Sequence, residues 1–189
     1  MRIPLPVAAP RRTGAPVAAV LAVACFIAAT VTANLATARY GLLPVGFGLS
    51  ATAGSYAAGL VLAARDWVHE TAGRAAVFGC IAAGALASAA TAGPRLALAS
   101  AAAFAIAETI DLLVYTPTRR RSWAVAVLAS NTVGAVADTL LFLRLAGFGI
   151  TTGVIAGQLL AKTTATLAVV VAALGVRALL RHRFQPSGA

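Results

Sequence analysis

Acidic side chains are scarce in this chain: five Asp and Glu stand against fifteen Lys and Arg in 189 residues, and charged residues of both signs make up 11%. Soluble domains carry about 25% charged residues, so there is too little polar mass here for a sizeable soluble domain. Cysteine and histidine are equally thin, two of each, with no Cys-x-x-Cys spacing and no paired histidines. That leaves no basis for a disulfide framework or a thiolate metal site, and Cys25 and Cys80 fall inside apolar runs where a free thiol packs as a small hydrophobe. Asp and Glu can bind hard cations, but no repeated acidic motif is present. No Ser and His pair in a recognisable motif, and no glycine-rich phosphate loop follows a strand. The expectation is a chain that is not an enzyme and uses no cofactor; any ATP-driven engine would be a separate chain.

What is present is apolar. Hydrophobic residues make up 60% and the mean hydropathy is +0.90. Runs free of Asp, Glu, Lys and Arg cover 13–38, 40–64 and 75–94, each matching the roughly 20 residues that cross hydrocarbon. Three further stretches are each broken by one or two ionisable groups: 96–115 by Glu108 and Asp111, 122–143 by Asp138, and 153–176 by Lys162. Backbone amides in a bilayer must be satisfied internally, so these are helices or barrel strands. Alternating segments of about 10 residues are missing, which argues against a barrel. The expected fold is an all-α integral membrane protein, a bundle of six transmembrane helices over 16–180, with cytoplasmic segments at 1–15 and 181–189.

The formal charge of +10 could suggest a nucleic-acid partner, but the arginines occupy short connections rather than one soluble face. No nucleic acid is expected; the lipid bilayer is. With six spans, Arg2, Arg11 and Arg12, then Arg65 and Arg74, Arg119 to Arg121, and Arg177, Arg181 and Arg183 share one side. Arg39, Arg95 and Arg144 fall on the other. The positive-inside rule then puts both termini in the cytoplasm. The first apolar run is longer than the roughly 7–15 residues of a signal-peptide core, so it is read as a retained span.

Helices are expected at about 16–36, 45–64, 75–92, 96–115, from Trp123 to about 143, and from 153 to about Leu180. Gly93-Pro94-Arg95 and Gly147 to Gly153 carry turn signals. The stretch Arg65 to Arg74 is read as a solvated connection in which Glu70 and Arg74, four apart with the acid first, suit a helical ion pair. His69 in that connection and His182 in the tail are assigned to solvated positions.

Three of the five acids lie inside proposed spans, where an ionisable group costs roughly 2.5–3.5 kcal/mol unless it finds a partner or a wet cavity. On helix 4, Phe104, Glu108, Asp111 and Tyr115 recur at spacings of four, three and four, which stacks them on one face. Helix 5 repeats Asn131, Gly134 and Asp138, and helix 6 places Gln158 and Lys162 four apart. Converging, these stripes would line a cavity for a flat, hydrogen-bonding ligand. The plainer alternative is glue between helices, such as an Asp138–Lys162 pair.

Several ordered segments resemble the vitamin uptake transporter (VUT) family and, within it, the queuosine precursor transporters. They are Ala33-Asn34-Leu35; Asp66 with Glu70, Gly73 and Arg74; Ala107-Glu108 followed by Asp111, Val114-Tyr115 and Arg119 to Arg121; Ser130-Asn131, Gly134, Asp138-Thr139 and Phe142; and Lys162. The chain departs from the pattern in a shortened link between helices 5 and 6 and in Gln158, where some relatives are expected to carry an acid. The resemblance implies a six-helix bundle similar to the substrate-binding components of energy-coupling factor (ECF) importers, in a bacterial inner membrane. It implies import of a purine analogue, 7-cyano- or 7-aminomethyl-7-deazaguanine, destined for tRNA modification. Such a base offers adjacent N–H donors that one carboxylate can accept as a bidentate pair, Glu108 being the first choice. Its carbonyl needs a donor, Lys162 or Asn131, and its rings can stack on Tyr115 or Phe104. A homo-oligomer, a separate ATPase module serving an ECF-type vitamin importer, and a purely structural membrane protein stay open as alternatives.

Overall fold

The computed structural model describes residues 15–118 and 123–184; Arg119 to Arg121 and both chain ends lie outside the described residues. The described residues form six α-helices: α1 (Ala15–Tyr40), α2 (Ala58–Ala72), α3 (Arg74–Ala92), α4 (Pro94–Thr118), α5 (Trp123–Ala146) and α6 (Thr152–Phe184). Three of them, over Pro16–Tyr40, Arg74–Ala92 and Thr152–Val176, are long and apolar enough to cross a membrane by length and composition. The outer surface agrees with a lipid solvent, since large apolar side chains such as Leu86, Leu98, Leu113 and Val171 are exposed. A soluble chain of this size would bury such side chains.

The expectation of one continuous helix over 45–64 is corrected. Residues Leu42–Gly46 (β1) and Leu49–Thr52 (β2) form an antiparallel hairpin, followed by a 3-10 turn at Ala53–Ala57. Pro44 offers no backbone donor, and Gly46 and Gly48 weaken any helix through this stretch. Leu42 pairs with Thr52, Leu43 with Ala51, Pro44 with Ser50 and Gly46 with Leu49, with a register irregularity between Pro44 and Gly46. The two-residue loop, Phe47-Gly48, has φ of 54° and 73°, the left-handed pair that a tight hairpin turn needs.

The same shift moves the second helix toward the C-terminus. Arg65 to Ala72 are helical rather than a connection; Asp66, Trp67, His69 and Glu70 stay exposed, while the Arg65 side chain is partly buried. At 15 residues α2 is about 22 Å long, short of the roughly 30 Å hydrocarbon core. Gly73 separates α2 from α3, placing Glu70 and Arg74 on different helices; both are exposed and no ion pair joins them among the described residues. Pro94 starts α4, a position where its missing N–H costs nothing.

Packing follows a ring. Helix α1 lies against α2 and α3, α3 against α4, α4 along α5, and α2 against α6, while α5 and α6 touch only sparsely. One apolar cluster joins Ala22 and Phe26 of α1, Val61 and Val68 of α2, and Val77 and Ile81 of α3; Cys80 is buried in it and Cys25 is exposed, both as free thiols. Phe26 meets Phe104 of α4 edge to face, centroids 5.7 Å apart. A second cluster joins Ala103 of α4, Phe142 and Leu143 of α5 and Val154 of α6. Between α1 and α3, the buried Asn34 amide donates to Ser88 Oγ at 3.0 Å.

Small residues let the hairpin reach the middle of this ring. A side chain at Gly157 of α6 would collide with the Ser50 carbonyl of β2, and one at Gly59 of α2 with the Ala165 carbonyl of α6. The Gly54 N–H donates to Thr37 Oγ1 at 2.9 Å, and Thr37 in turn donates to the Ala33 carbonyl at 3.0 Å. These contacts fix the 3-10 turn against α1.

Candidate functional site

Inside the ring is a cavity of about 650 Å³ bordered by every helix except α3, within the size range of small-molecule sites. Helix α4 contributes Phe104, Glu108 and Asp111 to it, spaced as the stripe on that helix predicts. Helix α5 contributes Gly134, Asp138 and Phe142, and α6 contributes Gln158 and Lys162. From the first half of the chain come Asn34 and Thr37 on α1, Thr52 and Ser55 at the end of the hairpin, and Arg65 with Asp66 on α2. Of the site residues expected from sequence, Phe104, Glu108, Asp111, Asp138 and Lys162 thus share one cavity. Tyr115 and Asn131 lie on α4 and α5, but their side chains are outside the described residues. Glu70 and Arg74 do not line the cavity.

Two ion pairs organise its walls. Arg65 Nη1 donates to Glu108 Oε2 at 2.6 Å, while its Nε bonds Asp66 Oδ1 at 2.9 Å. Glu108 is 8% exposed and Asp66 is largely open to the outside, so Arg65 bridges an inner and an outer carboxylate. Across the cavity Lys162 Nζ pairs with Asp138 Oδ2 and donates to the buried Thr139 hydroxyl at 3.1 Å. This pair joins α5 to α6 where the two helices otherwise touch little.

Four carboxylates and two cations therefore line the cavity, and Asp111 is the acid among them that pairs with no cation among the described residues. Among the described residues three buried side-chain atoms lack a hydrogen-bond partner: Thr30 Oγ1, Asp111 Oδ1 and Gln158 Nε2. The last two line the cavity. One is an acceptor and the other a donor, which a polar ligand could satisfy together.

Sequence reasoning missed Arg65, Thr52 and Ser55. The charge of Arg65 served the topology argument, and nothing local shows that it reaches Glu108, 43 residues away. Thr52 and Ser55 were hidden inside an apolar run taken for a helix. A usable signal did exist: Gly-Phe-Gly after a proline at 44–48 is turn chemistry.

A mostly apolar cavity carrying a few charged and hydrogen-bonding groups, among helices whose outer faces are apolar, fits a membrane protein with a place for a small solute. Residues 16–176 match the family model described as "Putative vitamin uptake transporter", and the chain belongs to that family. No curated protein and no solved structure matches it.

Proposed function

We propose that the protein is a multi-pass transporter that carries a queuosine precursor, 7-cyano- or 7-aminomethyl-7-deazaguanine, inward across a bacterial inner membrane. All six helices are taken as contributing to the span, α2 together with the hairpin, with both termini cytoplasmic. The single observation that carries the reading is the unpartnered Asp111 carboxylate oxygen, buried in a cavity that also holds an aromatic wall at Phe104. A deazaguanine presents two neighbouring N–H donors, and a free carboxylate accepts such a pair with charge-assisted bonds. Glu108 lines the same wall but has Oε2 engaged by Arg65, so Asp111 takes the ligand and the Arg65–Glu108 pair positions helix α4 behind it.

Lys162 and Asp138 stand opposite. An aminomethyl cation on the ligand would compete with Lys162 for Asp138, loosening the α5–α6 seam. The test is complementation of a bacterial strain unable to make the deazaguanine, with queuosine in tRNA as the readout. Restoration at limiting external precursor is expected from the wild-type chain and not from Asp111→Asn; equal restoration by both would remove Asp111 from the site, and none by the wild type would reject the substrate class.

A further inference from the structure

Asp111 supplies an acceptor, but a second unpartnered atom in the cavity, Gln158 Nε2, has no role in the reading so far. Gln158 sits on α6 one turn before Lys162 and is completely buried, yet its side chain lines the cavity. Its carbonyl end is held firmly. Oε1 accepts the Ser55 hydroxyl and the Thr52 hydroxyl at 3.2 Å, and these two hydroxyls lie 3.1 Å from each other.

Both hydroxyls are themselves buried and stand on a segment with little freedom. Gly157, adjacent to Gln158, packs directly on the Ser50 backbone, and the 3-10 turn is tied to α1 through the Gly54 N–H. Orientation of the amide follows from donor counting. Two hydroxyl protons need acceptors, and a carbonyl oxygen has two lone pairs. Turned the other way, the amide would present two more donors to the hydroxyls, which could then pass only one proton between themselves. The oxygen-inward orientation therefore leaves the NH2 group as the unpartnered end of a buried side chain that borders the cavity. A buried NH2 group without an acceptor is unfavourable, and only an acceptor on the ligand or a water it displaces can relieve it.

We infer that Gln158, clamped by Thr52 and Ser55, is the specificity-determining donor to a ring carbonyl of the bound base and selects an oxo group over an amino group at that position. The inference rests on the cavity being the site for a fused heteroaromatic base. It adds which edge substituent is read and by which residue. A ligand with an exocyclic amine there would set donor against donor, and a site built to donate rejects such an analogue far more strongly than one that merely fits its shape.

The experiment compares two probes that keep the 2-amino group, 7-deazaguanine with an N1–H and a 6-carbonyl and 2,6-diaminopurine with a bare N1 and a 6-amine, by equilibrium binding to the purified full-length protein in detergent. The wild type should prefer 7-deazaguanine by at least about tenfold, the scale of one unmatched buried hydrogen bond. Gln158→Met keeps the side-chain length and removes the donor. It should lose most of its affinity for 7-deazaguanine, leave 2,6-diaminopurine within about threefold of its wild-type affinity and so narrow the ratio several-fold, the remainder belonging to the N1–H that Asp111 accepts. A merely structural glutamine would weaken both probes equally, and that result overturns the inference. Should Gln158→Met fail to fold, the Thr52→Val, Ser55→Ala double variant decides. Freed from its clamp, the amide can present either end, so the ratio should narrow as in Gln158→Met; an unchanged ratio refutes the assignment. An undiminished ratio in Gln158→Met beside a reduced one in Asp111→Asn overturns this inference alone, whereas wild-type protein that does not discriminate against the amine overturns it together with the Asp111 reading, and no binding of either probe overturns both it and the substrate reading.

Discussion

Neutralising Lys162 tests how far the charged pair across the α5–α6 seam is structural and how far it serves the ligand. Lys162 lies ten residues into α6, about 15 Å along its axis, near mid-depth of a roughly 30 Å hydrocarbon layer. Its side chain and that of Asp138 are 17% and 23% exposed, so neither is well screened by water. Removing one member of a buried pair costs about 3–5 kcal/mol because the other is left uncompensated; at about 1.4 kcal/mol per decade that is at least a hundredfold in the folding equilibrium. The upper end is reduced here by the cavity, which can hydrate a stranded carboxylate. Lys162→Ala should therefore lower thermal stability in detergent and abolish uptake. Asp138→Asn combined with Lys162→Met removes both charges, and replacing a whole pair by neutral groups is often close to neutral for stability. The double variant should recover folded protein without recovering uptake. Full recovery of transport by the double variant would refute the placement of Lys162 in the ligand site and leave the pair as glue between helices.

Other outcomes follow from the same geometry. Arg65→Ala should destabilise by about 3–5 kcal/mol, since it strands the buried Glu108, and thermal melts should show the loss largely reversed in Arg65→Ala, Glu108→Gln. Gly157→Ala pushes a methyl group into the Ser50 backbone, an overpacking expected to cost about 1–3 kcal/mol; an unshifted melting temperature would show that the hairpin does not seat on α6 as described. For topology, a reporter fused after Arg183 should be active only in its cytoplasmic form, and a periplasmic signal would overturn the arrangement in which the arginine-rich connections face inward.

Much of the site could be read from the chain because it depends on periodicity within single helices. Phe104, Glu108 and Asp111 are spaced for one face of α4, and the structure puts them on one cavity wall; Asp138 and Lys162 each interrupt an apolar run and had to find partners, which they do in each other. What could not be read is the set of contacts made between distant segments. Arg65 looks like a topology marker until Glu108 is seen beside it, and Gln158 gains its meaning from two hydroxyls more than 100 residues earlier. The hairpin escaped for another reason. Apolarity over 40–64 reports the solvent, not the backbone conformation, which Pro44 and the glycines at 46 and 48 set locally.

The proposed acceptor for the transported base is the Asp111 carboxylate, whose Oδ1 has no partner among the described residues. Uptake of labelled 7-cyano-7-deazaguanine into proteoliposomes carrying the purified chain, compared with Asp111→Asn at equal reconstituted amount, measures this in isolation from cellular metabolism. Wild-type vesicles should accumulate label above protein-free controls, and unlabelled 7-deazaguanine should compete it away. The Asn variant should be folded, because Asp111 has no cationic partner to strand among the described residues, and should lose at least about tenfold of the uptake rate at low ligand, the cost of presenting an amide to two ligand donors. Equal uptake by the two proteins would contradict the account.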